Sequence, residues 1–200
     1  MKTTFSIVLF CFFMHTNAQF DAIVNPKEKW FFGIEIGHNT ITSFESGGSK
    51  NGIQGGILAE YYFARHWSVT GRFKYFETGV SFDYGNNVFN GAVIAIPVNI
   101  KWEYRIVNNF RGNFKLGYAL NYEIKSEYDY PEDASTNFSK NYGTLNTGLG
   151  FNYFINQKTA FYIEYEVFVL GNDRGNSDFL QFVPNSPNNN LLNLGVKYHF

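Results

Sequence analysis

The side chains that could do chemistry are few and widely spaced in this chain of 200 residues. Serines with a nearby acid are Ser81 with Asp83 and Ser177 with Asp178. The histidines that follow the N-terminal apolar run are His38, His66 and His199. A Ser-His-Asp site is defined by geometry, and no spacing connects either serine pair to a histidine. We therefore predict that the protein is not an enzyme.

Metal and cofactor sites are not indicated either. The single cysteine, Cys11, lies in the N-terminal apolar run, and no two histidines have the spacing of a zinc site. Carboxylates at Glu127, Asp129, Glu132 and Asp133 could hold calcium weakly, but a solvated acidic loop is the simpler interpretation. The sequence therefore predicts no metal and no cofactor.

The overall charge argues against a nucleic-acid partner. The formal net charge is −1 and no block of Lys and Arg is present, whereas phosphate binding needs clustered cations. Charged residues make up only 16% of the chain and aromatic residues 20%. A low charge content together with many aromatic residues is unusual, so the pattern in which the large apolar side chains occur along the chain has to explain it.

Residues 1–18 are predicted to be a secretory signal peptide. Lys2 precedes a short apolar run, and the small residue Ala18 precedes the expected cleavage point. The run is about ten residues long, whereas a membrane-spanning helix needs about 20. Residues 19–200 should then form one exported domain without a transmembrane helix.

Alternation of apolar with polar residues dominates the rest of the chain. The clearest case is NFKLGYALNYEIK, in which every second residue is large and apolar. The pattern recurs in WFFGIEI, IAIPVNIKWEY, LNTGLGFNY, FYIEYEV and LLNLGVKYHF, and less regularly at 53–63 and 67–80. Period-2 alternation is typical of β-strands, and runs of about 9–14 residues are long enough to cross a membrane when tilted. The sequence thus predicts eight strands.

Short and long connections alternate between these strands. Short turns are expected at 64–66, 107–110 and 155–158, and long loops near 43–51, 83–91, 127–141 and 171–188. An up-and-down meander brings all short turns to one end, which in transmembrane barrels is the periplasmic end, with long loops outside. We therefore predict an all-β, eight-stranded antiparallel transmembrane β-barrel in the outer membrane. The last strand should pair with the first.

Aromatic residues should mark both edges of the lipid-facing belt. Those expected at the short-turn edge are Trp30, Trp67, Trp102, Tyr198 and Phe200, together with Phe110 and Phe154. Those expected at the loop edge are Tyr75, Tyr122, Tyr142 and Phe168.

The other face of each strand should point into the lumen, where it carries a balanced set of charges. These residues are Glu35, Glu60, Arg72, Lys74, Lys101, Glu103, Lys115, Glu123, Lys125, Glu164, Glu166 and Lys197. Equal numbers of acids and bases indicate a lumen closed by ion pairs, because one sign would dominate in an ion-selective pore. We also expect His199 to fill the lumen near the short turns, and Pro97 to require a bulge or kink.

Short motifs in the chain resemble a known family. TNAQ near the N-terminus, IPVNIKW and LGVKYHF resemble the small outer-membrane β-barrel proteins of Bacteroidetes, the PorT-like family. The architecture is also similar to the eight-stranded OmpA/OmpX class. The resemblance implies insertion by the barrel-assembly machinery, which reads a C-terminal aromatic strand. The namesake of the family takes part in type IX protein secretion.

Three functions stay open at this point. The first is a non-enzymatic barrel that contacts outer-membrane lipid and has a structural or surface-interaction role, with a protein partner at its extracellular loops. The second is an accessory subunit of a type IX secretion or gliding-type complex. The third is a soluble, lipocalin-like ligand-binding barrel, with the bulky face inside. Strand length and a polar face rich in Gly and Asn favour a membrane barrel over this third reading.

Overall fold

Eight antiparallel strands close into one barrel, in the order of the sequence. The computed structural model describes residues 24–42, 51–81, 88–128, 141–170 and 188–200. The strands are β1 (Trp30–Thr42), β2 (Asn51–Tyr61), β3 (Trp67–Ser81), β4 (Val88–Val107), β5 (Phe110–Tyr128), β6 (Asn141–Phe154), β7 (Thr159–Leu170) and β8 (Asn188–Tyr198). The predicted fold class is confirmed. No helix among the described residues is long and apolar enough to cross a membrane.

The first and last strands pair directly and so close the barrel. Their ladder runs from Phe32 opposite Tyr198 to Thr42 opposite Asn188. A closed ladder leaves no row of unpaired backbone N–H and C=O groups, each of which would cost several kcal/mol in lipid. The C-terminal alternating segment is therefore a structural strand of the barrel.

Successive residues on each strand alternate between an outer and an inner face. On β1, Ile34 and Ile36 are 63% and 70% exposed, whereas Glu35 between them is 3% exposed. This alternation follows from the pleat of the backbone. Apolar side chains lie outside and polar ones inside, which is the reverse of a soluble barrel and fits a lipid surrounding.

The two ends of the barrel differ in their connections. Residues 62–66, 108–109 and 155–158 join strands at one end, called here the turn end. The strands are joined at the other end, called here the loop end, through residues 43–50, 82–87, 129–140 and 171–187. The predicted signal peptide, residues 1–18, lies outside the described residues and stays a prediction.

The segment before β1 covers the turn end of the barrel. The backbone N–H of Glu28 donates to the carbonyl of Tyr62 at 2.7 Å, and that of Tyr62 donates to the carbonyl of Lys29 at 3.1 Å. Glu28 has a φ of 63°, in the left-handed region that a non-glycine residue seldom adopts. This bend brings Val24 to a fully buried position among lumen side chains.

Of the bulge or kink predicted at Pro97, the bulge is wrong. The pairing of β3 with β4 has the same register on both sides of Pro97, with Gly71 opposite Val98 and Lys74 opposite Ala95. The ladder only omits the two pairs between these, because proline has no N–H to donate. The irregularities of β4 lie elsewhere, between Ala92 and Val93 and between 105 and 107, where it pairs with β5.

Candidate functional site

The lumen is filled by side chains that form layers along the barrel axis. An apolar layer at the turn end consists of Val24, Phe31, Tyr62, Phe154 and Ala160. A second apolar layer, nearer the loop end, consists of Phe76, Val93, Ala95, Ala119, Phe168 and Leu191. Twelve charged side chains are buried among the described residues: Glu123, opposite Val93 of the second layer, and eleven that form two clusters, Glu35, Glu60, Arg72, Lys74, Lys101, Glu103, Arg111, Lys115, Glu164, Glu166 and Lys197. Charged and apolar side chains together thus fill the interior of the barrel.

The turn-side cluster consists of Glu60, Lys101, Glu103, Arg111 and Lys197. Lys197 Nζ lies 2.7 Å from Glu60 Oε2, and Lys101 Nζ pairs with Glu60 and lies 3.1 Å from Glu103 Oε1. Arg111 Nη1 lies 3.5 Å from Glu103 Oε2, and Arg111 also donates to the backbone carbonyl of Val24. The segment before β1 is therefore held by the same guanidinium that pairs with the cluster.

Neutral side chains add hydrogen bonds to the turn-side cluster. Ser68 Oγ donates to Glu60 Oε1 at 2.7 Å, and Tyr62 Oη donates to Glu103 Oε1 at 2.7 Å. Lys197 Nζ donates to Tyr62 Oη at 2.9 Å and lies 5.3 Å from the centre of the same ring. These contacts satisfy buried charged groups that would otherwise be strongly destabilising.

The mid-lumen cluster consists of Glu35, Arg72, Lys74, Lys115, Glu164 and Glu166. Lys74 Nζ lies 2.6 Å from Glu35 Oε1 and 2.5 Å from Glu166 Oε2. Lys115 Nζ bridges the two acids of β7, at 3.1 Å from Glu164 Oε1 and 2.9 Å from Glu166 Oε1. Arg72 pairs with Glu164 and approaches Glu35 Oε2 at 3.3 Å. Three acids and three bases therefore neutralise one another.

The strand order explains how these residues meet. In the closed barrel, β3 lies across the lumen from β7, and β1 lies across from β5. The mid-lumen cluster takes Glu35 from β1, Arg72 and Lys74 from β3, Lys115 from β5 and both acids from β7, so it draws only on alternate strands. Strand tilt and stagger place alternate strands at the same height in a small barrel. The cluster thus ties together strands that are distant in sequence.

A glycine allows one of these strands to contribute a tyrosine to the cluster. Tyr162 on β7 is opposite Gly195 on β8, and a Cβ at Gly195 would collide with the Tyr162 ring. The ring can therefore lie against the backbone, and its hydroxyl donates to Glu35 Oε2 at 2.8 Å. Asn193, two residues earlier on β8, donates from Nδ2 to Glu166 Oε2 at 3.0 Å.

All but one of the twelve charges predicted for the lumen are buried. The exception is Lys125, whose side chain is exposed and lies 3.1 Å from the exposed Glu127. The β4–β5 pairing shifts register between Ala92 and Val93, so that β5 skips Ile124 in the ladder and Lys125 takes the outer face. The predicted lumen position of Lys125 is therefore wrong, because a bulge resets the alternation there.

Arg111 is the base that the sequence reasoning missed. It lies between the turn predicted at 107–110 and the alternating run predicted from Asn113, whereas β5 begins at Phe110 and pairs Arg111 with Asn152 of β6. Its position two and four residues before Asn113 and Lys115 is the signal that could have found it, since all three share the inner face. Tyr62 was also missed, although it lies within the run predicted at 53–63 and is two residues from Glu60, with which it shares the inner face.

The aromatic residues fall into two groups. Exposed on the outer surface are Trp30, Trp67, Trp102, Tyr198 and Phe200. Trp67 and Trp102 are cross-strand partners, and Tyr198 and Phe200 pack edge to face at 5.1 Å. The predictions for Phe154 and Phe168 are wrong, because both are fully buried inside the barrel, in the two apolar layers. Phe154 directly follows the outward-facing Tyr153, and Phe168 is three residues after the outward-facing Tyr165, so both side chains point into the barrel.

The candidate catalytic residues do not come together in the described part of the chain. His38 is exposed on β1, His66 is exposed in the 62–66 turn, and His199 follows β8. His199 Nδ1 lies 2.9 Å from the carbonyl of Trp30 and its ring packs on Phe31 at 5.5 Å. Asp83, Ser177 and Asp178 lie outside the described residues, as do Asp129, Glu132 and Asp133 of the predicted acidic loop. Among the residues that are described, no group of three metal-ligating side chains occurs.

An apolar outer surface, a closed ladder and a lumen of paired charges define a transmembrane β-barrel. The sequence matches the family of outer membrane protein β-barrel domains over residues 7–200, and the chain belongs to that family. The barrel accordingly lies in the outer membrane. The narrower resemblance to PorT-like proteins of Bacteroidetes stays a prediction.

Solved structures of small outer-membrane barrels have the same fold. Neisserial surface protein A superposes with a TM-score of 0.62 at 16% identity, over 86% of this chain and 97% of that one. OprG of Pseudomonas aeruginosa gives a TM-score of 0.58 at 16% identity, over 90% and 99%. Ail of Yersinia pestis, in complex with the heparin analogue sucrose octasulfate, gives 0.52 at 18% identity, over 86% and 99%. No curated protein matches the sequence. At these identities the likeness concerns the fold alone.

Proposed function

We propose that this protein is a sealed, non-catalytic outer-membrane barrel with a structural or surface-interaction role. Its contacts with other molecules would be made at the loop end and not through the lumen. The observation that carries this proposal is the pairing of charges across the lumen, in an interior that also contains two clusters of buried apolar side chains. A conducting pore needs a continuous polar path, and a soluble carrier of apolar ligands needs an empty apolar cavity.

The long connections suggest which partners the loop end would accept. By sequence they carry an excess of acids: Glu45, Asp83, Asp129, Glu132, Asp133, Asp173 and Asp178, against Lys50, Lys140 and Arg174. Ail was crystallised with a polyanionic sugar. An acidic set of loops would repel such a ligand, because like charges raise the free energy of association. We therefore favour a neutral or cationic partner for this chain.

Solute flux through the protein in liposomes tests the sealed lumen. The purified protein is inserted into liposomes, and swelling in small sugars and in potassium chloride is compared with that of liposomes containing an open porin. We expect no swelling above that of empty liposomes. Size-dependent flux through the folded wild type would contradict the proposal, and folding is checked by heat-modifiable migration on a gel.

A surface role and a secretion role differ in where a partner would be held. For a surface role, crosslinks formed in intact cells should depend on the long loops, so replacing residues 129–140 by a Gly-Ser linker should abolish them. An accessory subunit of a secretion or gliding complex should instead retain a stoichiometric partner after detergent extraction, with or without that loop. The sealed-lumen proposal holds in either case.

A further inference from the structure

A pocket of about 370 Å³ lies at the turn end, on the rim formed by the 62–66 turn and the β4–β5 hairpin. The residues that line it are Arg65, His66, Trp102, Tyr104, Arg105 and Arg111. The lining contains three guanidinium groups and two aromatic rings but no carboxylate. Its volume is at the lower end of the range for small-molecule sites, about 300–1,000 Å³. Its chemistry is that of an anion site beside a membrane interface.

Two of the arginines are available for a ligand. Arg111 is buried and already pairs with Glu103. Arg65 and Arg105 are exposed, and no carboxylate among the described residues lies within ion-pair distance of either. Elsewhere on the same rim, Lys27 lies 3.1 Å from the carboxylate of Glu28. The pocket thus has uncompensated positive charge.

Backbone contacts hold the 62–66 turn in place beside the pocket. The N–H of Glu103 donates to the carbonyl of His66 at 2.8 Å, and His66 Nδ1 lies 3.0 Å from the carbonyl of Glu103. Ala64 and Trp67 exchange backbone hydrogen bonds at 3.2 and 3.4 Å. Arg65 is therefore carried by a turn that is fixed to β4, which reduces the entropy lost when a ligand binds.

The outer surface next to the pocket is apolar. Trp102 and Tyr104 pack with ring centres 5.3 Å apart, and Trp102 is opposite Phe114 in the β4–β5 ladder. Ile100, two residues further from the turn, is exposed and opposite Leu116. Trp and Tyr are enriched at the level of lipid head groups, and the exposed aliphatic side chains beyond them lie at the level of acyl chains.

We propose that this pocket binds the phosphate of an anionic phospholipid, whose acyl chains lie along the outer face of β4 and β5. Arg65 and Arg105 contribute the charge, since the planar guanidinium suits phosphate oxygens. Trp102 and Tyr104 set the depth of the head group. The inference rests on the position of the barrel in the membrane, and it is independent of the surface role and of the sealed lumen.

Native mass spectrometry of the protein extracted from vesicles tests the lipid site. The vesicles contain equal amounts of phosphatidylglycerol and phosphatidylcholine, and the lipids that stay bound to wild type are counted. We expect preferential retention of phosphatidylglycerol. Each near-surface arginine contributes about fivefold to anionic-lipid binding, so Arg65→Gln with Arg105→Gln should lower retention about 25-fold.

A matched control removes two cations from the same rim outside the pocket. Lys29→Gln with Lys158→Gln should leave the preference unchanged, and heat-modifiable migration checks that every variant is folded. If the pocket double variant does not fold, each single variant should lose about fivefold on its own.

Three results would overturn the lipid site. The first is equal retention of both lipids by wild type. The second is unchanged retention by the folded pocket variants. The third is displacement of phosphatidylglycerol by inorganic phosphate or glycerol 3-phosphate at the same concentration as by the lipid, which would assign the pocket to free phosphate. None of these results bears on solute flux through the lumen, so the two proposals fail independently.

Discussion

On β5, Leu120 is 62% exposed on the outer face, and its neighbour Asn121 is 4% exposed in the lumen. Adjacent residues of one strand therefore lie in opposite surroundings, except where a bulge resets the alternation, as at Ile124 and Lys125. Around Leu120 the outer face carries apolar side chains, such as Ile96 on the neighbouring strand, whereas the inner face offers charged partners, as Lys115 pairs there with two carboxylates. A charged side chain is therefore tolerated in this protein where it has partners of opposite charge, even if it is buried.

Removing a shared acid from the lumen should have the largest effect. Glu166 contacts Lys74, Lys115 and Arg72, so Glu166→Gln leaves three cations with two acids in the mid-lumen cluster. We expect a loss of about 3–5 kcal/mol in the free energy of unfolding, measured by urea titration of the protein in lipid vesicles. The matched control, Glu127→Gln on the exposed surface, should change it by less than about 0.5 kcal/mol.

A second substitution separates charge imbalance from lost packing. Lys115→Met added to Glu166→Gln restores equal numbers of acids and bases in the mid-lumen cluster. The double variant should be more stable than the sum of the single effects predicts, by about 0.5–3 kcal/mol of coupling. Strict additivity in the same urea titration would contradict the paired-charge description of the cluster.

Placing a charge on the outer face should have the next largest effect. Leu120→Arg is expected to cost about 2–4 kcal/mol, because an arginine near the middle of the bilayer has no partner. Asn121→Arg puts the same side chain on the lumen face, two residues from Glu123, and should cost less. Equal folding yields and equal stabilities in urea for the two variants would contradict the assignment of Leu120 to the outer face and Asn121 to the lumen.

Removing a single hydroxyl from the cluster should have a moderate effect. Tyr162→Phe deletes the hydrogen bond to Glu35 Oε2 but keeps the ring against Gly195. A hydrogen bond to a charged group is worth about 1.5–3 kcal/mol, and Glu35 keeps Lys74 and Arg72 as partners, so we expect a loss near the lower end. Tyr118→Phe on the exposed face, where the ring lies against Gly143, is the control, and the unfolding free energies of both are compared.

The smallest effect is expected where the sequence-based prediction failed. Lys125→Gln removes a charge that was predicted for the lumen but lies exposed beside Glu127. An exposed ion pair contributes about 0–1 kcal/mol, so the urea midpoint should barely change. Arg111→Gln, at the buried position, should destabilise clearly more, since it loses contacts with Glu103 and Val24. The reverse order would mean that the bulge in β5 is placed wrongly.

Many of the lumen residues could be predicted because the alternation of inward and outward side chains along a strand is a local property. Glu164 and Glu166 share a face with Tyr162 whatever the rest of the chain does. Prediction from this alternation failed at Lys125, where the register of β5 against β4 shifts. It also failed at Arg111, because the start of β5 was placed too late. Pro97 was expected to distort its strand, but the neighbouring ladder only omits two pairs. Each error lies where pairing between strands overrides the pattern within one strand.

The sequence by itself determined the number of strands, the alternation of their faces and the order of short and long connections. These follow from period-2 geometry and from turn spacing, which act over a few residues. Only the tertiary structure decided which acid meets which base. Glu35 reaches Lys74, and Lys115 reaches Glu166, because closure and stagger bring alternate strands to one height. The burial of Val24 against the lumen side chains likewise depends on the closed barrel and not on the residues around it.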